Sequence, residues 1–165
     1  MKVTTTVKLD NLTGIQKRLQ RMQHFYEGAG ELMVNSIMKN FEEQGRPTRW
    51  KPLAAATLLG GAGYGGQRFT QKKSAIKEFQ RHLQGKQILI SRGMLRNSIK
   101  KEATSAHALV GPSGNSLKYA ALQNFGGMAG RGRKVFIPAR PYLLVQAEDH
   151  AQLQLNLRRW VMVGQ

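Results

Sequence analysis

Cysteine is absent from this sequence. Its absence removes a disulfide framework, a thiolate metal site and a cysteine nucleophile together. Carboxylates are scarce as well, with nine Asp and Glu against 26 Lys and Arg. The adjacent pairs Glu42-Glu43 and Glu148-Asp149 lack the alternating oxygen ligands of a calcium loop, and no carboxylate pair is set up for acid–base work. His24, His82, His107 and His150 have no ligand-like spacing, which argues against zinc. Long apolar runs are missing too, so neither a membrane span nor a secretory leader is expected. We therefore expect a soluble cytoplasmic chain with no catalytic residues, no metal, no cofactor and no membrane partner.

What the sequence does have is positive charge, and it is segregated. The formal net charge is +17 over 165 residues. Residues 1–45 carry six basic and five acidic side chains, and 148–165 carry two of each. The middle, 46–147, holds eighteen basic residues against only Glu78 and Glu102. Solubility alone does not require such segregation. A lopsided field of this kind attracts nucleic acid, an acidic protein surface or an anionic membrane.

The length suits one domain, 1–165, and the hydrophobic fraction of 41% allows a modest core. Val3, Thr5, Val7 and Leu9 alternate with Lys2, Thr4, Thr6 and Lys8, predicting a half-buried strand. Asp10 or Asn11 then caps a helix with apolar positions at Leu12, Ile15, Leu19, Met22, Tyr26, Ala29, Met33, Ile37 and Phe41. The stripe predicts one long helix, or two meeting near Gly28 and Gly30. Gly45, Arg46 and Pro47 end it. From about 46 to 86 the composition predicts an extended or partner-ordered loop, with short helices at most at 54–59 and 74–83.

Further on, a short helix follows Gly93, and 100–104 pairs with 107–111 around Ser105 and Ala106. Another short helix at 119–125 stops at Gly126 and Gly127. A basic loop over 130–134 leads to a strand at 135–137. The last helix is expected from Pro141, with Leu144, Ala147, Ala151 and Leu155 on one stripe and Leu153, Leu157 and Trp160 on the next. The fold class is α+β: a small antiparallel sheet against a long N-terminal helix and a C-terminal helix, with a long central loop.

Several motifs fail on context. GAGYGG at 61–66 matches a dinucleotide fingerprint, but no strand precedes it and only Glu78 is near. The two S-x-x-K matches, at 74–77 and 98–101, are expected by chance in a chain this rich in lysine. Basic groupings fare better. Lys72, Lys73, Lys77 and Arg81 are spaced to line a helical face, as are Arg92, Arg96 and Lys100. Arg131, Arg133 and Lys134 sit among glycines, where backbone can follow a phosphate chain. Few aromatic residues lie near them, so any contact with DNA would be made through phosphates, without sequence reading.

Four spaced motifs occur in order: W-x-P-L at Trp50, G-x-L-x-x-S at Gly93, Y-A-x-x-x-x-F-G at Tyr119, and I-P-A-R-P-Y-L at Ile137. In this order the chain resembles the phage virion morphogenesis family, the tail-completion proteins of Mu-like and P2-like tailed phages, over roughly residues 40–160. The resemblance implies a structural virion protein in the tail–neck region, assembled in the host cytoplasm. It would finish the tail at its head-proximal end and enable head–tail joining. Implied partners are further copies of itself in a ring, often sixfold, the tail tube, the head–tail connector and, nonspecifically, genomic DNA.

Lys72, Lys73, Lys77, Arg131, Arg133 and Lys134 are then candidates for the DNA channel or an acidic partner. Trp50, Tyr119, Phe125, Pro138, Arg140 and Pro141 are candidate interface or motif residues. Tyr119 and Phe125 are expected to pack their helix onto the sheet, and the prolines to free a strand edge. Trp50 is either a core residue or an exposed anchor. Arg140 could tie down a helix C-terminus, a carboxylate or a phosphate. Two other functions remain: a basic DNA-binding accessory protein, and an assembly nuclease or peptidase whose acids or nucleophile do not emerge.

Overall fold

The computed structural model describes residues 10–53, 87–90, 92–130, 132 and 134–163, with side chains from Thr13 onward. The expected strand over 2–9 and the expected helices at 54–59 and 74–83 lie outside the described residues, as does most of the 46–86 loop. The described elements run in the order α1 (Asp10–Gln20), α2 (Gln23–Glu42), α3 (Met94–Asn97), β1 (Ile99–Ala103), β2 (Ala108–Pro112), a 3-10 turn (Gly114–Ser116), α4 (Leu117–Phe125), β3 (Gly127–Ala129), β4 (Val135–Ile137) and α5 (Ala147–Met162). The class is α+β. Among the described residues the strands form two two-stranded sheets, β1–β2 and β3–β4.

The described residues divide into two compact units, one of 10–36, 100–111 and 145–163, the other of 37–99 and 112–144. In the first, α1 packs along α5. The N-terminal helices meet at Arg21 and Met22, not at the glycines. There the Arg18 carbonyl accepts the Arg21 N–H at 3.0 Å and the Trp160 indole N–H at 3.3 Å, which ends α1. Gly30 has a different use: a Cβ on it would lie 3.3 Å from the Lys101 stem, so its lack of a side chain admits β1. Lys101 then pairs with Glu31.

The last helix also begins later than expected, at Ala147. The N–H groups of Tyr142 and Leu143 are both given to the Asn124 side-chain oxygen, at 3.1 and 3.0 Å, so 141–146 stays extended. Helix starts where Asp149 can accept the Gln146 N–H at 2.8 Å, a cap from the third helical position. Asp149 is buried and also accepts the Ser36 hydroxyl at 2.6 Å. The inward stripe of α5 is Asp149, Leu153, Asn156 and Trp160, whereas Ala151, Leu155 and Leu157 are exposed. The Ala147-Ala151-Leu155 stripe is thus the outer face, because the buried cap at Asp149 sets the helix rotation.

Among the described residues, the buried apolar side chains lie in the second unit: Ile37, Phe41, Trp50, Leu95, Ile99, Ala120 and Tyr142. Gln44 and Gly45 turn the chain sharply at φ 58° and 110°. This lets the Trp50 N–H reach the Gln44 carbonyl at 2.8 Å. A Cβ on Gly45 would stand 2.6 Å from the Trp50 nitrogen, so only glycine permits that approach. β3 was missed because Gly126 and Gly127 read as a helix stop. They are that, and then Gly127 opens a strand, pairing Gly127 with Ile137, Met128 with Phe136 and Ala129 with Val135.

Candidate functional site

Tyr142 is 0% exposed and lies at the centre of the second unit. Its ring is 5.4 Å from that of Phe41, which meets Trp50 edge-on at 5.8 Å. Its hydroxyl donates to the Ala120 carbonyl at 3.3 Å, which joins it to α4. Burial, with a smaller contribution from Tyr119, pushes the Tyr142 pKa up to about 12. The phenol is therefore neutral at physiological pH and acts as a hydrogen-bond donor in the core.

Two asparagines hold the backbone around that ring. Asn40, fully buried on α2, donates to the Tyr142 carbonyl at 3.1 Å and accepts from Arg46 Nε at 3.0 Å. Asn124, near the end of α4, takes the Tyr142 and Leu143 N–H groups. Neither residue was singled out from the sequence. The signal was present: a polar side chain next to an aromatic one, at Asn40-Phe41 and Asn124-Phe125.

Trp50 is 6% exposed, a core residue within this chain, and its indole N–H donates to the Pro141 carbonyl at 3.2 Å. Arg140 is buried. Among the described residues its guanidinium binds main-chain carbonyls. Nε donates to the Lys51 carbonyl at 3.2 Å and Nη2 to the Pro52 carbonyl at 3.4 Å. Burial lowers its pKa from the usual guanidinium value, and the paired carbonyls offset the desolvation of a group that stays charged. The Arg140 N–H also donates to the Gln123 carbonyl at 2.9 Å. The IPARPYL segment thereby ties the WKPL segment to α4.

Tyr119 is half-buried, its hydroxyl 3.3 Å from Ser116 Oγ, which itself reaches the Met94 carbonyl. Ser113 binds the Ser98 carbonyl through both N–H and hydroxyl, at 2.9 Å each. All four motifs thus serve one internal junction. Phe125 does not pack α4 onto a sheet: it is 77% exposed, because Gly126 at φ 74° turns the chain away directly after it. Pro138 is half-buried and Pro141 exposed.

Of the basic candidates, Lys134 is exposed, while Lys72, Lys73, Lys77, Arg131 and Arg133 lie outside the described residues. Arg92, Arg96 and Lys100 do not share a helical face, since α3 spans only Met94–Asn97 and Lys100 is on β1. Arg96 pairs with Glu42 at 3.1 Å. Among the described residues no group of three His, Asp or Glu side chains could hold a metal ion, and no helix is long and apolar enough to cross a membrane.

The four motifs of this small α+β chain thus build an internal scaffold among the described residues. The chain belongs to the phage virion morphogenesis family, whose model matches residues 4–162. It is similar to the Mu-like prophage FluMu G protein 2 of Haemophilus influenzae, 29% identical over 154 residues that cover 89% of this chain and 88% of that protein. No solved structure matches it. Its role is accordingly in phage virion morphogenesis.

Proposed function

We propose that this protein completes the phage tail at its head-proximal end and enables head–tail joining, as a non-catalytic subunit of a ring around the DNA channel. The observation that carries this reading is that the W-x-P-L, Y-A-x-x-x-x-F-G and I-P-A-R-P-Y-L segments meet at the Phe41–Trp50–Tyr142 core, while the G-x-L-x-x-S segment is tied to the turn that opens α4. A ring subunit needs a rigid centre from which other segments reach neighbours, and this junction supplies one. The proposed partners are further copies, in a sixfold ring by the family resemblance, together with the tail tube and connector. Genomic DNA would meet the positive middle of the chain without sequence reading.

Electron microscopy of a lysate from the parent phage lacking this gene tests the reading. Filled heads beside unattached or overlong tails are expected, and normal infectious particles would overturn it. The charge of the middle segment favours a second reading, a sequence-nonspecific DNA-binding accessory. In that case, neutralising Arg131, Arg133 and Lys134 would abolish DNA affinity while assembly stayed intact.

A further inference from the structure

The junction leaves several apolar side chains of the second unit exposed, Met94, Leu117 and Val135 among them, and two stand together on one face of the β3–β4 ribbon. Phe136 is 66% exposed and Met128 49%, and Phe125 stands at the end of α4 just before the ribbon. In the antiparallel register Met128 lies directly opposite Phe136, so both side chains leave the same face of the β3–β4 ribbon. Adjacent apolar side chains this open have the composition of an interface core before its partner arrives. The stretch of chain that carries the ribbon has one sign of charge. No Asp or Glu occurs from 103 to 147, and Lys118 and Lys134 are exposed.

We propose that the Met128–Phe136 face docks a different virion protein, one presenting an apolar cleft edged with carboxylates, and not a second copy of this chain. The proposal rests on the reading that the chain is built into the particle. Charge decides between the occupants. A second copy also carries +17 and only nine carboxylates. Several of these are engaged: Glu27 with His24, Glu31 with Lys101, Glu42 with Arg96, and Asp149 with Ser36 and the Gln146 N–H. A neighbouring copy would therefore bring mostly cations to a cationic stretch of chain. Duplex DNA would satisfy that charge but leave Met128 and Phe136 against phosphates, which offer apolar side chains no burial.

The test is photo-crosslinking in the assembling phage. The full chain, with p-benzoylphenylalanine replacing Phe136, complements the gene deletion, and its adducts are identified by mass spectrometry. The same probe at Met128 keeps the test open if the first variant misfolds, as checked by circular dichroism. The expected result is an adduct with a different virion protein, close to Asp or Glu residues of that protein. Its yield should fall about tenfold with Lys134→Glu, and should be about tenfold lower from a probe at Val135 on the opposite ribbon face.

An adduct to a second copy, an adduct to DNA, or no adduct in infectious particles would each overturn the docking proposal. Infectious particles from the deletion strain without any complementing chain would instead overturn the reading beneath it. The two failures are therefore distinguishable.

Discussion

Tyr142 combines an aromatic packing contact, a hydroxyl donor and two backbone anchors in one position. Its pKa of about 12, raised from 10, has a consequence for stability. The folded state prefers the protonated phenol, so this contribution is fully present below pH 10 and is lost as pH rises towards 12. The loss should reach about 2–3 kcal/mol, and Tyr142→Phe should remove that alkaline slope. Denaturant unfolding at a series of alkaline pH values checks it. Trp50→Ala should cost about 3–5 kcal/mol, because it opens a cavity against Phe41 and orphans the Pro141 carbonyl. A lowered urea midpoint with unchanged slope is the expected signature.

At the scale of elements, two short features decide where helices end and strands begin. A Cβ on Gly126 would meet the Ala139 nitrogen at 2.7 Å and the Ile137 carbonyl at 2.9 Å, at a φ of 74°. Gly126→Ala should therefore cost at least about 2 kcal/mol, combining left-handed strain with that clash. Its effect should fall on the β3–β4 ribbon, visible as faster amide exchange at Met128 and Phe136. Asp149→Ala removes the N-terminal cap of α5 and leaves the buried Ser36 hydroxyl without that acceptor. A loss of about 1–3 kcal/mol is expected, read as a lowered melting temperature.

For the whole molecule the controlling quantity is the net charge of +17. Binding to duplex DNA of arbitrary sequence should weaken steeply with salt, in proportion to the phosphates neutralised. Fluorescence anisotropy with two unrelated duplexes at several salt concentrations checks this: similar affinities and parallel slopes are expected. Lys134→Glu should flatten the slope by about one if Lys134 touches a phosphate. A strong preference for one duplex would instead indicate sequence reading.

The sequence by itself determined the α+β class, the order of the motifs, the hairpin turn at Ser105 and Ala106 and the positive middle of the chain. Each is written in local spacing or in composition, which need no knowledge of distant residues. Only the tertiary structure decided that Arg140 serves the Lys51 and Pro52 carbonyls, that Asn124 delays α5, and that Phe125 faces outward. These depend on contacts between segments far apart in the chain, where a buried donor takes whichever acceptor the packing brings to it. Periodicity can report that a side chain is apolar or charged. What it is buried against is settled by the fold.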